Sequence, residues 1–368
     1  MPLPSGSWIA LSAALVIAGL YKAPQTTKSA LKYTGYGVFG LASLTAGLLY
    51  IYQTKLVYPA NFPAGSRKEV LDPFSTYGMP YDDLTLITPD NVKIRAYLIY
   101  AKGRSDIETL KAEHKQRRQR DTKADETGSS QKEKVTDDST RPLTVAQAEF
   151  AKSRATVIIY HANAGNMGHR IPLANIFWNN LGCNVMMLSY RGYGFSEGSP
   201  SEKGMRIDAQ AALDHVKSHP ILADTKKIVF GQSIGGAVSI DTAGRNPDDV
   251  HGVILENTLL SIRTLVPLIM PHLKPFLAVP SLLTEQWDAT KTLPSIKPET
   301  PMLLLAGQKD ELVVPVQMRE IKAIREKAAG KVKWVEFPNG THNDTCMQPG
   351  YWEAITNFLL DEGFISRP

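Results

Sequence analysis

The stretch KIVFGQSIGGAVSI, residues 227–240, decides the fold. It opens with a short apolar run of the kind a buried strand needs and closes with a helix of small residues. Between them stands Ser233, with Gly231 and Gly235 two positions away on either side. A strand that turns sharply into a helix lifts the intervening side chain out of the sheet and crowds the backbone around it. Glycine at both flanking positions relieves that crowding. Gly236, Ala237 and Ser239 then let the helix lie close to the sheet. Ser233 therefore sits where the first helical amides point, a place suited to developing negative charge.

Outward from this turn the chain alternates. ATVIIYHA (155–162) is a short continuous apolar run, as a buried parallel strand should be, and CNVMMLSY (183–190), GVILEN (252–257), PMLLLAG (301–307) and KVKWVEF (331–337) read as further strands. Helical patterns separate them: GHRIPLANIFWNNLG stopping at Gly182, GMRIDAQAALDHVKSH, PVQMREIKAIREKAAG and YWEAITNFLLDEG. The alternation predicts an α/β fold, a mostly parallel sheet with helices on both faces. A hairpin precedes it at residues 82–100, where two β-rich runs flank a Pro-Asp-Asn turn.

Ligands in such sheets bind beyond the carboxyl ends of the strands, which is where Ser233 lies. A serine needs a base, and the base needs a group to orient it; on this kind of sheet they follow in the order Ser, Asp or Glu, His. Asp310 follows the strand PMLLLAG and His342 follows KVKWVEF, both on loops leaving the same edge. His161 also follows a strand at this edge, but it precedes the serine. Glu256, ending GVILEN, is the rival orienter; Asp310 is favoured because its loop is longer and its carboxylate shorter. Asp344 is too close to His342 in sequence to orient it. Two backbone amides should hold the oxyanion, that of Ile234 directly after the serine and that of Asn163 in the loop HANAGNMGHR. YRGYGFSEG (190–198) either shapes the site mouth or is a structural turn with Arg191 in a local ion pair.

The bulk numbers bound the rest. A net charge of +5 over 368 residues, with bases and acids intermixed, argues against a nucleic-acid partner. The two cysteines, Cys183 and Cys346, make no disulfide framework, and a free core thiol is expected at Cys183. No metal-ligand spacing is present, and the expected chemistry needs neither metal nor organic cofactor.

Residues 7–21 and 33–53 carry no charge. A spanning helix needs about 20 apolar residues, which the second segment meets, with Tyr33, Tyr36, Tyr50 and Tyr52 placed like interface anchors. The expected organisation is a membrane anchor of one or two helices over 1–55 and a catalytic domain over 56–368. Lysines flank the second segment on both sides, so the positive-inside count does not orient it. Asn339 and Asn343 head glycosylation patterns, but both flank His342, where a glycan would obstruct the site. The polar tract 102–154 is expected to be a disordered insertion, with short helical pieces possible at 107–120 and 144–152. Residues 259–298, rich in proline and apolar side chains, replace a simple crossover. They read as a cap over the site, a membrane-facing surface or an extra packed helical pair.

HANAGNMGHRIP, YRGYGFSEGSPSEKG, GQSIGGAVSID, LENTLLSI, AGQKDELVVP and FPNGTHNDTCMQPGYW together resemble the bud emergence protein 46-like branch of the α/β-hydrolase superfamily, with alpha/beta hydrolase domain-containing protein 13 as a relative. The resemblance runs from about Leu56 to Leu360. It implies the α/β-hydrolase fold behind an N-terminal membrane anchor, and a triad of Ser233, Asp310 and His342. Where the family has His-Gly, this chain has His161 and Ala162. The implied activity is hydrolysis of a carboxylic ester or thioester on a lipid or acylated-protein substrate. The expected partner is a lipid bilayer, at the endoplasmic reticulum or plasma membrane. An inactive membrane-anchored scaffold and a peptidase are the other classes compatible with the residues.

Overall fold

A computed structural model describes residues 25–126, 142–277 and 279–366. The first apolar segment, 7–21, lies outside the described residues. Eight strands form one sheet: β1 (Asp82–Ile87), β2 (Lys93–Ile99), β3 (Thr156–Tyr160), β4 (Asn184–Ser189), β5 (Lys227–Gln232), β6 (Gly252–Glu256), β7 (Met302–Gly307) and β8 (Val332–Phe337). Their spatial order is β1-β2-β4-β3-β5-β6-β7-β8. β2 pairs antiparallel with β1 and β4, and every later pairing is parallel. This is the sheet of the α/β hydrolases.

The strand sequences explain why the sheet is covered twice. In β3 to β7 every residue is buried, so side chains of both parities meet a helix layer. Ile158, Val229, Val253, Leu255 and Leu304 enter one core. It is shared with helices α4 (Glu202–Ser218), α5 (Ile234–Arg245) and α7 (Val316–Lys327). Val157, Ile159, Ile228, Phe230, Ile254, Leu303 and Leu305 enter the other, against residues 171–181 and helix α8 (Tyr351–Asp361). The edge strand β1 instead alternates covered positions, with Leu86 buried in the first core, and exposed ones.

Before the sheet runs helix α1 (Gln25–Val57), whose span Lys32–Val57 is long and apolar enough to cross a membrane; most of it is exposed, and only its end, at Gln53 and Val57, packs against the protein. After β2 the tract expected to be disordered is corrected in part. It forms helix α2 (Arg104–Glu126) and, preceding β3, helix α3 (Val145–Lys152), while residues 127–141 lie outside the described residues. Docking explains the order in α2. Ile107 is buried in the second core with Leu110 against it, and His114 meets the Phe74 ring edge-on. Thr144 and Gln147 close a reciprocal cap on α3. Between β6 and β7 the chain makes helix α6 (Ile262–Ile269) and a series of short turns over residues 271–295. Cys183 and Cys346 are free; burial pushes the Cys183 thiol up to about 12 and that of Cys346 up to about 11.

Candidate active site

The strand order reverses at β3, since β4 lies on one side of it and β5 on the other. The loops after β3 and β5 therefore part from each other and leave a crevice at the carboxyl edge. Asn163 lies on the first loop and Ser233 on the second.

Ser233 has φ 56° and ψ −124°, a backbone state that costs energy for any residue but glycine. Four hydrogen bonds hold it there. Its amide donates to the Glu256 carbonyl at 2.9 Å. Its carbonyl accepts from Thr258 Oγ1 at 2.6 Å and from the amides of Gly236 and Ala237. Both glycines of the motif are required by space: a Cβ at Gly231 would lie 2.1 Å from the Gly235 carbonyl oxygen, and one at Gly235 would lie 2.1 Å from the Tyr160 carbonyl oxygen. Ile234 opens α5, so its amide has no preceding carbonyl of that helix to donate to.

Asp310 and His342 meet. His342 Nδ1 is 2.8 Å from Asp310 Oδ2, with both side chains buried. The other carboxylate oxygen, Oδ1, accepts the Leu312 amide at 2.9 Å and the Val313 amide at 2.7 Å. Asp310 is thus also the turn residue of its own loop, and that second task fixes the direction of its free oxygen. The His342 backbone is tied to the serine's strand. Gln232, next to Ser233, donates from Nε2 to the His342 carbonyl at 3.1 Å. Asp344 accepts the Thr341 amide through Oδ1 at 2.6 Å and so braces the His342 loop.

Glu256, the rival orienter, faces elsewhere. Its Oε1 accepts from Gln232 Nε2 at 3.2 Å and its Oε2 from the Tyr351 hydroxyl at 2.6 Å. Burial pushes its carboxyl up to about 7. The unfolded chain therefore sheds this proton first, and stability falls as pH rises from 4.5 to about 7. Glu256→Gln removes that slope. Relative to wild type, it should gain about 2 to 3 kcal/mol between pH 5 and pH 8, read from urea unfolding at the two pH values. Equal gains at both would show that Glu256 does not titrate in this window.

His161 is a packing residue. Burial holds its imidazole down, to about 3. Its Nδ1 is 2.7 Å from the Ala162 carbonyl, and its ring lies against Tyr190 and Tyr193. Arg191 is bound by two carboxylates, Asp208 at 2.8 Å and Asp90 at 2.7 Å, as the structural reading of its turn requires. The same turn also reaches the oxyanion loop, because the Tyr193 hydroxyl donates to Asn163 Oδ1 at 3.1 Å. Asn163 Nδ2 in turn donates to the Val57 carbonyl, the last residue of α1.

Sequence reasoning missed two residues that build this site. Asn257, with φ 44°, donates from Nδ2 to the Thr341 carbonyl and to Thr345 Oγ1, and accepts the Gly307 amide. It clamps the loops after β6, β7 and β8 together. Gln232 links the serine strand to the histidine loop. The available signal was the polar residues that end the otherwise apolar runs KIVFGQ and GVILEN.

The family model described as "Serine aminopeptidase, S33" matches residues 151–296. Protein bem46 of Schizosaccharomyces pombe is 38% identical over 331 residues, 90% of this chain and 93% of that protein. The chain belongs to the bem46-like branch of the α/β hydrolases. An uncharacterized membrane protein of Saccharomyces cerevisiae is 37% identical over 329 residues to this bem46-like chain, covering 89% of it and 96% of the yeast protein. Among solved structures, the Pyrococcus furiosus esterase Pf2001 shares the fold, with a TM-score of 0.55 at 17% identity over 81% of the bem46-like chain and 99% of the esterase.

Proposed function

We propose that this bem46-like chain is a membrane-anchored serine hydrolase that cleaves a carboxylic ester or thioester through an acyl-enzyme. The observation that carries the reading is the buried Asp310–His342 pair, tied through Gln232 to the strand that presents Ser233 in a strained turn. His342 Nε2 takes the Ser233 hydroxyl proton as Oγ attacks the carbonyl carbon. The amides of Ile234 and Asn163 receive the oxyanion. The tetrahedral intermediate collapses, and the leaving alcohol or thiol carries away the proton from His342. Water then gives its proton to His342 as it attacks the acyl-serine, and on collapse His342 returns that proton to Ser233 Oγ, releasing the acid and restoring the serine. Asp310 keeps the Nδ1 proton in place throughout. No step needs a metal or organic cofactor.

The apolar span of α1 and the description of the yeast relative as a membrane protein support a membrane location, which we assign to the endoplasmic reticulum or plasma membrane. An acyl chain borne by a lipid or an acylated protein suits an enzyme held at a bilayer. The description of the matching family model favours one second reading, a peptidase on the same residues.

The test is labelling of detergent-solubilised full chain with a fluorophosphonate. Wild type should be labelled and Ser233→Ala should not. Esters and thioesters of long acyl chains should compete, and aminoacyl amides should not. Competition by the amides instead would turn the reading to the peptidase. An unlabelled but folded wild type would leave the fold to serve as a membrane scaffold.

A further inference from the structure

Helix α1 is bolted to residues 259–298, the segment after β6 here called the cap. Gln53 is buried, and its Oε1 accepts the amides of Thr284 at 2.8 Å and Glu285 at 3.3 Å. Its Nε2 donates to the Leu282 carbonyl at 3.2 Å. One turn on, the Tyr58 hydroxyl donates to Glu285 at 2.5 Å and accepts from Trp287 Nε1 at 2.8 Å. These contacts fix the height of the cap along α1. Gln53 stands four residues before Val57, so the attachment lies about 6 Å from the end of the helix. Tyr50 and Tyr52, placed like interface anchors, stand just before Gln53, so on the anchor reading the attachment lies at the membrane–water boundary of the span.

The cap surface is built for such a place. Leu268, Ile269, Met270 and Val279 are 50%, 38%, 46% and 45% exposed. Between Glu256 and Glu285 the chain carries no acidic residue, while Arg263 and Lys274 are both exposed there. An apolar surface edged by cations and free of acids complements anionic lipid. The cap begins directly after β6, at the edge that holds Ser233, and α1 ends on the Asn163 side chain. Anchor, cap and oxyanion loop therefore converge on the site mouth.

We propose that the cap is a membrane-docking surface. Leu268, Ile269, Met270 and Val279 enter the headgroup region of the bilayer that α1 crosses, Arg263 and Lys274 meet lipid phosphates, and the site takes its acyl chain laterally from that leaflet. The inference rests on the reading of α1 as an anchor, so the experiment must separate the two. An environment-sensitive fluorophore is attached to full-length chain carrying Cys346→Ser with either Ile269→Cys in the cap or Leu41→Cys in the anchor. Each is reconstituted into vesicles of phosphatidylcholine and phosphatidylserine, with or without doxyl-labelled lipid. Quenching at both positions is expected, with about half or more of the fluorescence lost at 269. Quenching at 41 alone would leave the anchor standing and overturn the docked cap. Quenching at neither would overturn the anchor reading and the docked cap with it. Protection at 269 that grows with protein concentration, without quenching, would give the surface to a second copy and overturn the proposal.

Discussion

Replacing His342 with alanine is expected to lower kcat on a soluble ester by about 10⁶-fold, and Asp310→Asn by about 10⁴-fold, with KM little changed. The two losses differ because the two residues do different work. Without the imidazole, nothing accepts the Ser233 proton, and only the oxyanion amides and substrate binding remain. The asparagine variant keeps the imidazole but misdirects it. Asp310 Oδ1 already accepts the amides of Leu312 and Val313. An asparagine must present its oxygen to those amides to hold the loop, which turns its NH₂ toward His342. The imidazole can meet that NH₂ only by offering Nδ1 as acceptor. Its proton then moves to Nε2, the nitrogen that should receive the serine proton. Steady-state kinetics on both variants, with thermal melting to show that each is folded, check the argument. A loss of less than about tenfold in His342→Ala would assign the base elsewhere. A loss of less than about tenfold in Asp310→Asn would mean that Asp310 acts only by holding its loop, which the asparagine oxygen still does.

How much of this was legible follows from the range of each interaction. Strands β3 to β7 could be read because each is a short, largely apolar run, buried by its own composition, and β8, half-buried at the sheet edge, by its β-branched and aromatic residues. The Asp310–His342 pairing could be read because each residue stands just past a strand on the same edge, so topology alone brings them near. The braces could not. Gln232 reaches His342 across 110 residues, and Gln53 reaches Leu282 across 229; nothing local to either glutamine specifies its partner. Helix α2 was legible only in part, as a possible helical piece at 107–120, for a different reason. Its lysines, arginines, glutamates and glutamines are good helix formers, yet they give the composition of a disordered segment. What orders it is the contact of Ile107, Leu110 and His114 with the body of the fold, a face too narrow to stand out of the sequence.

The second large effect is on folding. Gly235→Ala should destabilise the protein by about 4 kcal/mol or more, or prevent its recovery as a folded chain. A methyl there would lie 2.1 Å from the Tyr160 carbonyl oxygen and 2.7 Å from that of His161. Neither atom can yield cheaply. Tyr160 ends β3, which is paired to β5 through the Tyr160–Gly231 register, and the chain then runs into the loop that carries Asn163. Moving α5 away instead would break the hydrogen bonds from Thr258 and Gly236 that hold Ser233 in its strained turn. The side chain is small and apolar and alanine favours helices, so composition and propensity both predict an improvement. Only the approach of helix to strand predicts the loss. Gly103→Ala supplies the contrast, because a Cβ there meets nothing within 4 Å. Its effect should stay within about 1 kcal/mol in either direction. Thermal or urea unfolding of the two variants beside wild type measures the difference. Similar stabilities for Gly235→Ala and Gly103→Ala would mean that α5 can shift off the sheet, and the rigid serine turn on which the catalytic proposal stands would lose its support.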